Sequence, residues 1–214
     1  MSKVVVFGAG GRAGRHIVAE AVRAGHEVTA VVRDPSKHAF AGAGVTVEQG
    51  DVTSAADVAA LAAGHDAAVT AATRLDIDSS EFYTAATNAL VAGLKEAAVS
   101  RLVLIGIGTI LTVDGSTLVH DTEGFPPEGR AFSLGHVAQL EILERDGGDL
   151  DWVVLAPPPV VLDAEAERTG GYRTGGRQLI AGAADTFSYA DLAVAVVEEI
   201  DAPKHHRDLV AVAG

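Results

Sequence analysis

Apolar residues along the chain alternate between short unbroken runs and longer stretches in which they recur every three or four positions. Val4 to Phe7 form the first unbroken run, the pattern of a strand buried on both faces. The stretch RHIVAEAVRAG follows, with Ile17, Val18, Ala21 and Val22 at helical spacing and Gly25 placed to end the helix. The same succession continues to the end of the chain. HEVTAVVRDP predicts a second strand ending at Arg33, Val45 to Glu48 a third, DAAVTAA a fourth, RLVLIGI a fifth, DWVVLAP a sixth and DLVAV a short last one. Helices are predicted between them at AADVAALAAG, EFYTAATNALVAGLKEAAV, around FSLGHVAQLEILER, and at ADLAVAVVEEI. Their start signals are Ser54 with Asp57, Ser79 or Ser80, and Ser188 with Asp191. Repeated strand-helix units imply an α/β fold with a doubly wound parallel sheet and helices on both faces. Ligands of such sheets lie beyond the carboxyl ends of the strands. Here those ends are at residues 8–14, 33, 51, 71–73, 106–109 and 157–160.

Composition narrows the class. The 214 residues suit one domain, 1–214, and no Pro, Ser or Gly linker divides them. Hydrophobic residues make up 48% and charged residues 21%, a balance that excludes disorder. The longest apolar runs, such as LVLIGIGTIL, are interrupted or too short to cross a bilayer, so no membrane partner is expected. No basic stretch precedes a long apolar run at the N-terminus, so no signal peptide is expected. Cysteine is absent, in keeping with a cytoplasmic protein. A net charge of −13 argues against a nucleic-acid partner.

The chemistry begins at GAGGRAG, residues 8–14. Glycines between a buried strand and a helix permit a tight turn, and the helix's free N–H groups and dipole then face an anion over that turn. Strand, glycine turn, helix and second strand fit within about thirty residues, the context of a dinucleotide-binding Rossmann unit. Arg33 stands nineteen positions after Gly14, close to the ~20 at which an acidic residue would bind the ribose 2′-hydroxyl of NAD. An arginine there suits a 2′-phosphate and favours NADP(H), with Arg12 as a second cation and Lys37 as a weaker third. The alternative reading of Arg33 is a solvated charge paired with Asp34. Asp51 and Val52 are candidates for the adenine, although Asp51 also suits a turn. Ala71, Ala72 and Thr73 end the fourth strand beside the same site.

These stretches, with GDVTSAADVAALAAGHDAAV, RLVLIGIGTIL, DLDWVVLAPPPVV, RTGGYRTGG and SYADLAVAVVEEIDAPKH, resemble the atypical short-chain dehydrogenase/reductase group over nearly the whole chain. More narrowly they resemble the NAD(P)H-binding, NADH-flavin reductase-like members, which are NmrA-like and related to biliverdin reductase B. The resemblance implies a Rossmann fold, NADP(H), and hydride transfer to a flavin or another small acceptor. By position it assigns Gly8, Gly11, Arg12, Ala13 and Gly14 to the phosphate loop, Arg33 to the 2′-phosphate, and Asp51 with Val52 to the adenine. Gly10 departs from relatives that carry Thr, which removes a hydroxyl donor.

The catalytic pattern departs further. Short-chain dehydrogenases pair a Tyr with a Lys four residues later, but Tyr83, Tyr172 and Tyr189 are followed at that distance by Thr87, Gly176 and Ala193. Phe132 and His136 occupy the helix where the pair would lie. Ordinary ketone reduction needs a positioned acid, whereas a flavin takes hydride without an alkoxide forming. The candidates left are His136, as a local acid or as a packing residue, and Thr109 near the nicotinamide or bonded to loop backbone. Pro157 heads a proline run that walls the pocket or merely stiffens the connection, and Gly108 is read as facing an open part of that pocket. The histidines form no ligand set, so no metal site is expected. Segments 111–130 and 168–180 are expected to form a small substrate cap.

The function expected is therefore NADPH-dependent reduction of a small acceptor such as FMN, FAD, riboflavin or a quinone. The alternative is a non-catalytic NADP(H)-sensing regulator, with a cofactor-dependent epimerase as a third. A monomer is preferred to a homodimer, the Ala-, Leu- and Val-rich helix from Ser80 to Val99 being the face that would pair two subunits.

Overall fold

In the computed structural model, which describes residues 1–160, 162–184 and 186–214, unbroken apolar runs form the centre of an eight-stranded sheet. The first half of the chain comprises β1 (Lys3–Phe7), α1 (Arg12–Arg23), β2 (Glu27–Val32), β3 (Val45–Gln49), α2 (Ala55–Ala62), β4 (Ala67–Thr70) and α3 (Ser79–Glu96). The second comprises β5 (Arg101–Ile105), α4 (Pro127–Asp146), β6 (Asp151–Ala156), β7 (Leu162–Asp163), β8 (Arg173–Thr174), β9 (Phe187–Ser188), α5 (Tyr189–Asp201) and β10 (Asp208–Ala213). The sheet order is β3-β2-β1-β4-β5-β6-β10-β8. All neighbours are parallel except β8, which pairs antiparallel with β10 at the edge. The order reverses between β1 and β4, and β1 is flanked in register by β2 and β4, Val4 lying opposite Val28 on one side and Ala67 on the other.

Each central strand is buried on both faces, so its apolar run has no polar alternation to reveal a direction. Val5, Phe7, Leu102, Leu104 and Trp152 point into the layer shared with α3 and α4, while Val4, Val6, Val103, Val153 and Leu155 point to the layer under α1 and α5. Helix α1 ends as its sequence implies. Gly25 adopts φ +90°, its N–H donates to Val22 O, and that of His26 donates to Ala21 O, closing a Schellman turn. Ser54 Oγ accepts from Asp57 N and Ser188 Oγ from Asp191 N, as expected.

Several boundaries differ from the sequence reading. Asp78, rather than Ser79 or Ser80, caps α3 by accepting from Glu81 N at 2.9 Å. Ser79 is buried instead and donates to Phe132 O, where Gly135 of α4 comes so close that a Cβ would lie 2.1 Å from the serine hydroxyl. Helix α4 starts earlier than its apolar spacing suggests, because Pro127 occupies its first turn. The segments expected to form a cap meet only in part. Thr112 N donates to Arg177 O and Leu179 N to Thr112 O, but Arg168 is drawn away to Glu20 on α1, and Thr169 and Gly170 donate to Asp191 on α5. Among the described residues no helix is long and apolar enough to cross a membrane.

Candidate cofactor site

A cavity of about 570 Å³ opens where the sheet order reverses, at the carboxyl ends of β1, β2, β3 and β4. Its floor is the glycine turn. Gly8 takes φ +77°, and a Cβ on it would meet Ala72 N at 2.5 Å, so β1 can leave the sheet against β4 only as glycine. Gly14 does not line the cavity; a Cβ there would fall 2.2 Å from Gly8 O, so this glycine lets α1 lie against the turn. Gly11 is the N-cap of α1 and offers no side-chain cap, and Arg12, Ala13 and Gly14 make up the first turn. Helices α2, α3 and α5 each receive a side-chain oxygen at that point. The N–H groups of α1's first turn are thus left for an external acceptor. The cradle fits a dinucleotide pyrophosphate.

Arg33 lies just past β2 and lines the cavity. Asp34, its alternative partner, is otherwise engaged. Its carboxylate caps the turn Pro35–Lys37, accepting from Ser36 N at 3.1 Å and Ser36 Oγ at 2.6 Å, and it pairs with Lys37 at 3.0 Å. These contacts hold the Asp34 carboxyl down at about 2. Lys37 is thereby neutralised in place, whereas Arg33, which lines the same cavity, is in no ion pair among the described residues. Asp51 makes the turn that was one of its two readings, Oδ1 accepting from Thr53 N and Oγ1, and it lines the cavity together with Val52. The hydrogen bonds from Thr53 and the nearby charges of Arg74 and Arg33 lower the Asp51 carboxyl against the opposing effect of burial. Ala71 and Thr73 line the opposite wall, and Ala72 supports Gly8 from behind.

The sequence reading missed three basic residues here. Arg74 and His38 line the cavity, and Arg15 donates from Nε to Gly10 O at 3.0 Å. No local signal marks them, since Arg74 and His38 reach the site by loops and Arg15 sits on an ordinary helical surface.

The two residues proposed for catalysis lie elsewhere. His136 is 2% exposed, its ring 4.0 Å from that of Tyr83 and 5.4 Å from that of Phe132, with Nδ1 3.3 Å from Gln139 Oε1. Desolvation pushes its pKa down to about 4, so it is a neutral imidazole at physiological pH. Of the two readings of His136, a local acid or a packing residue, the geometry matches packing: the ring lies between α3 and α4 and does not line the cavity. Tyr83 is connected to the cavity through Thr73, to which its hydroxyl donates at 3.1 Å, and burial pushes it up to about 12. Thr109 Oγ1 pairs with Ser133 Oγ at 2.7 Å, and its carbonyl oxygen lies 2.8 Å from His120 Nδ1. Gly108 does not face open space. A Cβ there would lie 2.5 Å from Pro157 O and 2.7 Å from the Pro159 ring, so Gly108 is the residue that lets the loop after β5 pack on the proline run.

Comparison with known proteins bears directly on this cradle: the family model for NAD(P)H-binding proteins matches residues 8–203, from the first glycine of the turn to beyond α5. The chain belongs to the NAD(P)H-binding family. The chain is of the atypical short-chain dehydrogenase/reductase type. YwnB of Bacillus subtilis (strain 168) is 32% identical over 210 residues, covering 96% of this chain and 95% of its own. A Burkholderia pseudomallei structure is 35% identical with a TM-score of 0.87, covering 100% of both chains. A Streptococcus pneumoniae family protein, provisionally named an NADH-flavin reductase, is 25% identical with a TM-score of 0.84, covering 100% of this chain and 99% of its own.

Proposed function

We propose that the protein uses NADPH to reduce a flavin or a quinone-like acceptor. The observation that carries the cofactor preference is Arg33, which lines the cavity while Asp34 is committed to Ser36 and Lys37. A guanidinium free of its neighbouring carboxylate offers charge-assisted hydrogen bonds to a 2′-phosphate. Arg12, at the start of α1, adds a second cation, and the glycine turn receives the pyrophosphate.

When bound, the cofactor supplies the hydride. The protein's part is to hold the reacting rings together. Beyond Pro158 and Pro159, an apolar pocket of about 200 Å³ is lined by Leu111, Leu179, Ile180 and the end of β10. Such a lining suits a flat, weakly polar ring, and the contact between segments 111–119 and 177–180 forms its cap. His136, neutral and buried, holds α4 against α3 rather than delivering a proton, so the proton that accompanies the hydride comes from water. This division suits a flavin or quinone better than a ketone. Helix α3 spends its apolar residues Ala86, Ala89, Leu90 and Leu94 on the core of its own chain, which favours a monomer. A single dimeric species in sedimentation at micromolar concentration would reject that reading.

The test is binding and turnover with both cofactors. The unmodified protein is expected to bind NADPH more tightly than NADH, and Arg33→Glu to abolish or reverse the preference, each charged contact contributing about 1.5 to 3 kcal/mol. Oxidation of NADPH with FMN, FAD, riboflavin or a quinone identifies the acceptor. Tight NADPH binding with no acceptor reduced would favour the sensing regulator, the reading that the absence of a Tyr and Lys pair supports.

A further inference from the structure

Gly10 faces a side chain that comes from a distant part of the chain. The turn Pro35–Lys37, capped by Asp34, sends the backbone back toward the glycine loop, and His38 lands on Gly10. A Cβ at residue 10 would lie 2.4 Å from His38 Cε1 and 2.6 Å from Nε2, so the imidazole occupies the space that any side chain at this position would need. Three contacts fix the arrangement. Arg15 Nε donates to Gly10 O at 3.0 Å, Arg15 Nη2 meets His38 Nδ1 at 2.9 Å, and the same guanidinium lies over the Phe40 ring at 5.8 Å.

The Arg15 contact also determines what His38 presents. A guanidinium can only donate, so Nδ1 accepts and the neutral ring carries its proton on Nε2. That N–H lies over the glycine turn in the same cavity as Arg33, on the chain that continues from the end of β2.

We propose that His38, oriented by Arg15, is a determinant of NADPH specificity: its Nε2–H donates to the 2′-phosphate, in place of the donor that a side chain at residue 10 would supply. Gly10 and His38 form one unit, glycine being required because the imidazole fills the position. This inference rests on the reading of Arg33 as a 2′-phosphate ligand.

Dissociation constants for NADPH and NADH test it, measured by fluorescence or calorimetry on the intact chain. His38 is half-buried in a surface turn, so His38→Ala is expected to fold normally, which a thermal melt verifies. His38→Ala should weaken NADPH binding about ten-fold and leave NADH within about two-fold. Gly10→Thr should drive the ring out and bring a hydroxyl in its place, so that adding His38→Ala to it costs little more. A strongly non-additive cycle is the expected signature. Equal losses for the two cofactors, no loss, tighter binding, or the same loss in both backgrounds would overturn the proposal. Equal affinity of the unmodified protein for NADPH and NADH would remove the Arg33 reading and this inference together. A retained preference that His38→Ala does not touch would remove this inference alone.

Discussion

At the scale of single residues, the glycines of the turn differ in what they do. Gly11 has open space around it, the nearest atom to a built Cβ being Gly8 O at 3.4 Å, and its φ of −72° suits any residue. Gly14 has none, with Gly8 O at 2.2 Å and Ala9 Cα at 2.7 Å from a built Cβ. Gly11→Ala should therefore change stability by no more than about 0.5 kcal/mol, while Gly14→Ala should cost about 1 to 3 kcal/mol as backbone is forced apart. Denaturant melts of the two variants check this, and equal effects would show that the turn has slack under α1. The motif was legible because part of the need is local: Gly8 takes a positive φ, and Gly14 is crowded by Gly8 and Ala9. His38 was not, since its relation to Gly10 exists only once the turn after Asp34 has folded back. Arg33 was half legible: its place followed from spacing, but that Asp34 turns to Ser36 and Lys37 is a matter of local hydrogen bonding.

At the scale of elements, strands and helices were legible in kind, and their contacts were not. Helix α4 shows why. Its apolar spacing located it, yet nothing in that spacing tells that His136 lies inward against Tyr83 while Leu134 is exposed. The inward placement carries a prediction. The folded-state pKa of His136 is depressed to about 4, below the ~6.5 of an unfolded histidine. The unfolded chain therefore binds the proton first, so the contribution is fully present above pH ~6.5 and is lost as pH falls toward 4. The loss should reach about 3 kcal/mol. The carboxyl of Glu20, held down to about 2 chiefly by its hydrogen bond with Arg23, loses its contribution at lower pH and does not mask this window. His136→Leu removes the titration, so its stability relative to the unmodified protein should rise steadily between pH 7 and pH 4.5. Urea midpoints measured across that range give the comparison, and a constant difference would mean that the imidazole is solvated when protonated.

At the scale of the whole molecule, the two ends of the sheet have separate tasks. The carboxyl ends leave groups free: an uncapped α1, an Arg33 that lines the cavity, a glycine turn open to solvent. The opposite end closes the fold. Arg101, first in β5, donates from Nη2 to Glu199 Oε2 at 2.7 Å and from Nε to Glu199 O at 3.0 Å, and also pairs with Asp151, first in β6. Glu199 is 4% exposed and accepts in addition from the backbone of Lys204, with His205 Nδ1 at 2.7 Å. This cluster ties α5 and the turn into β10 to the middle of the sheet. It was invisible in the sequence because Arg101 and Glu199 are 98 residues apart and each looks like an ordinary surface charge. Removing Glu199 leaves the buried Arg101 with Asp151, a partly exposed carboxylate, as its remaining counter-charge, so Glu199→Leu should destabilise by up to about 3 to 5 kcal/mol. Replacing both, Arg101→Leu with Glu199→Leu, should recover much of that loss, since two desolvated charges are removed together. Neither change touches the cavity at the other end of the strands, so the NADPH dissociation constant should stay within about two-fold in whichever variants fold. A double variant no more stable than Glu199→Leu would show that the ion pair itself, and not the avoidance of a lone buried charge, holds this end of the sheet together.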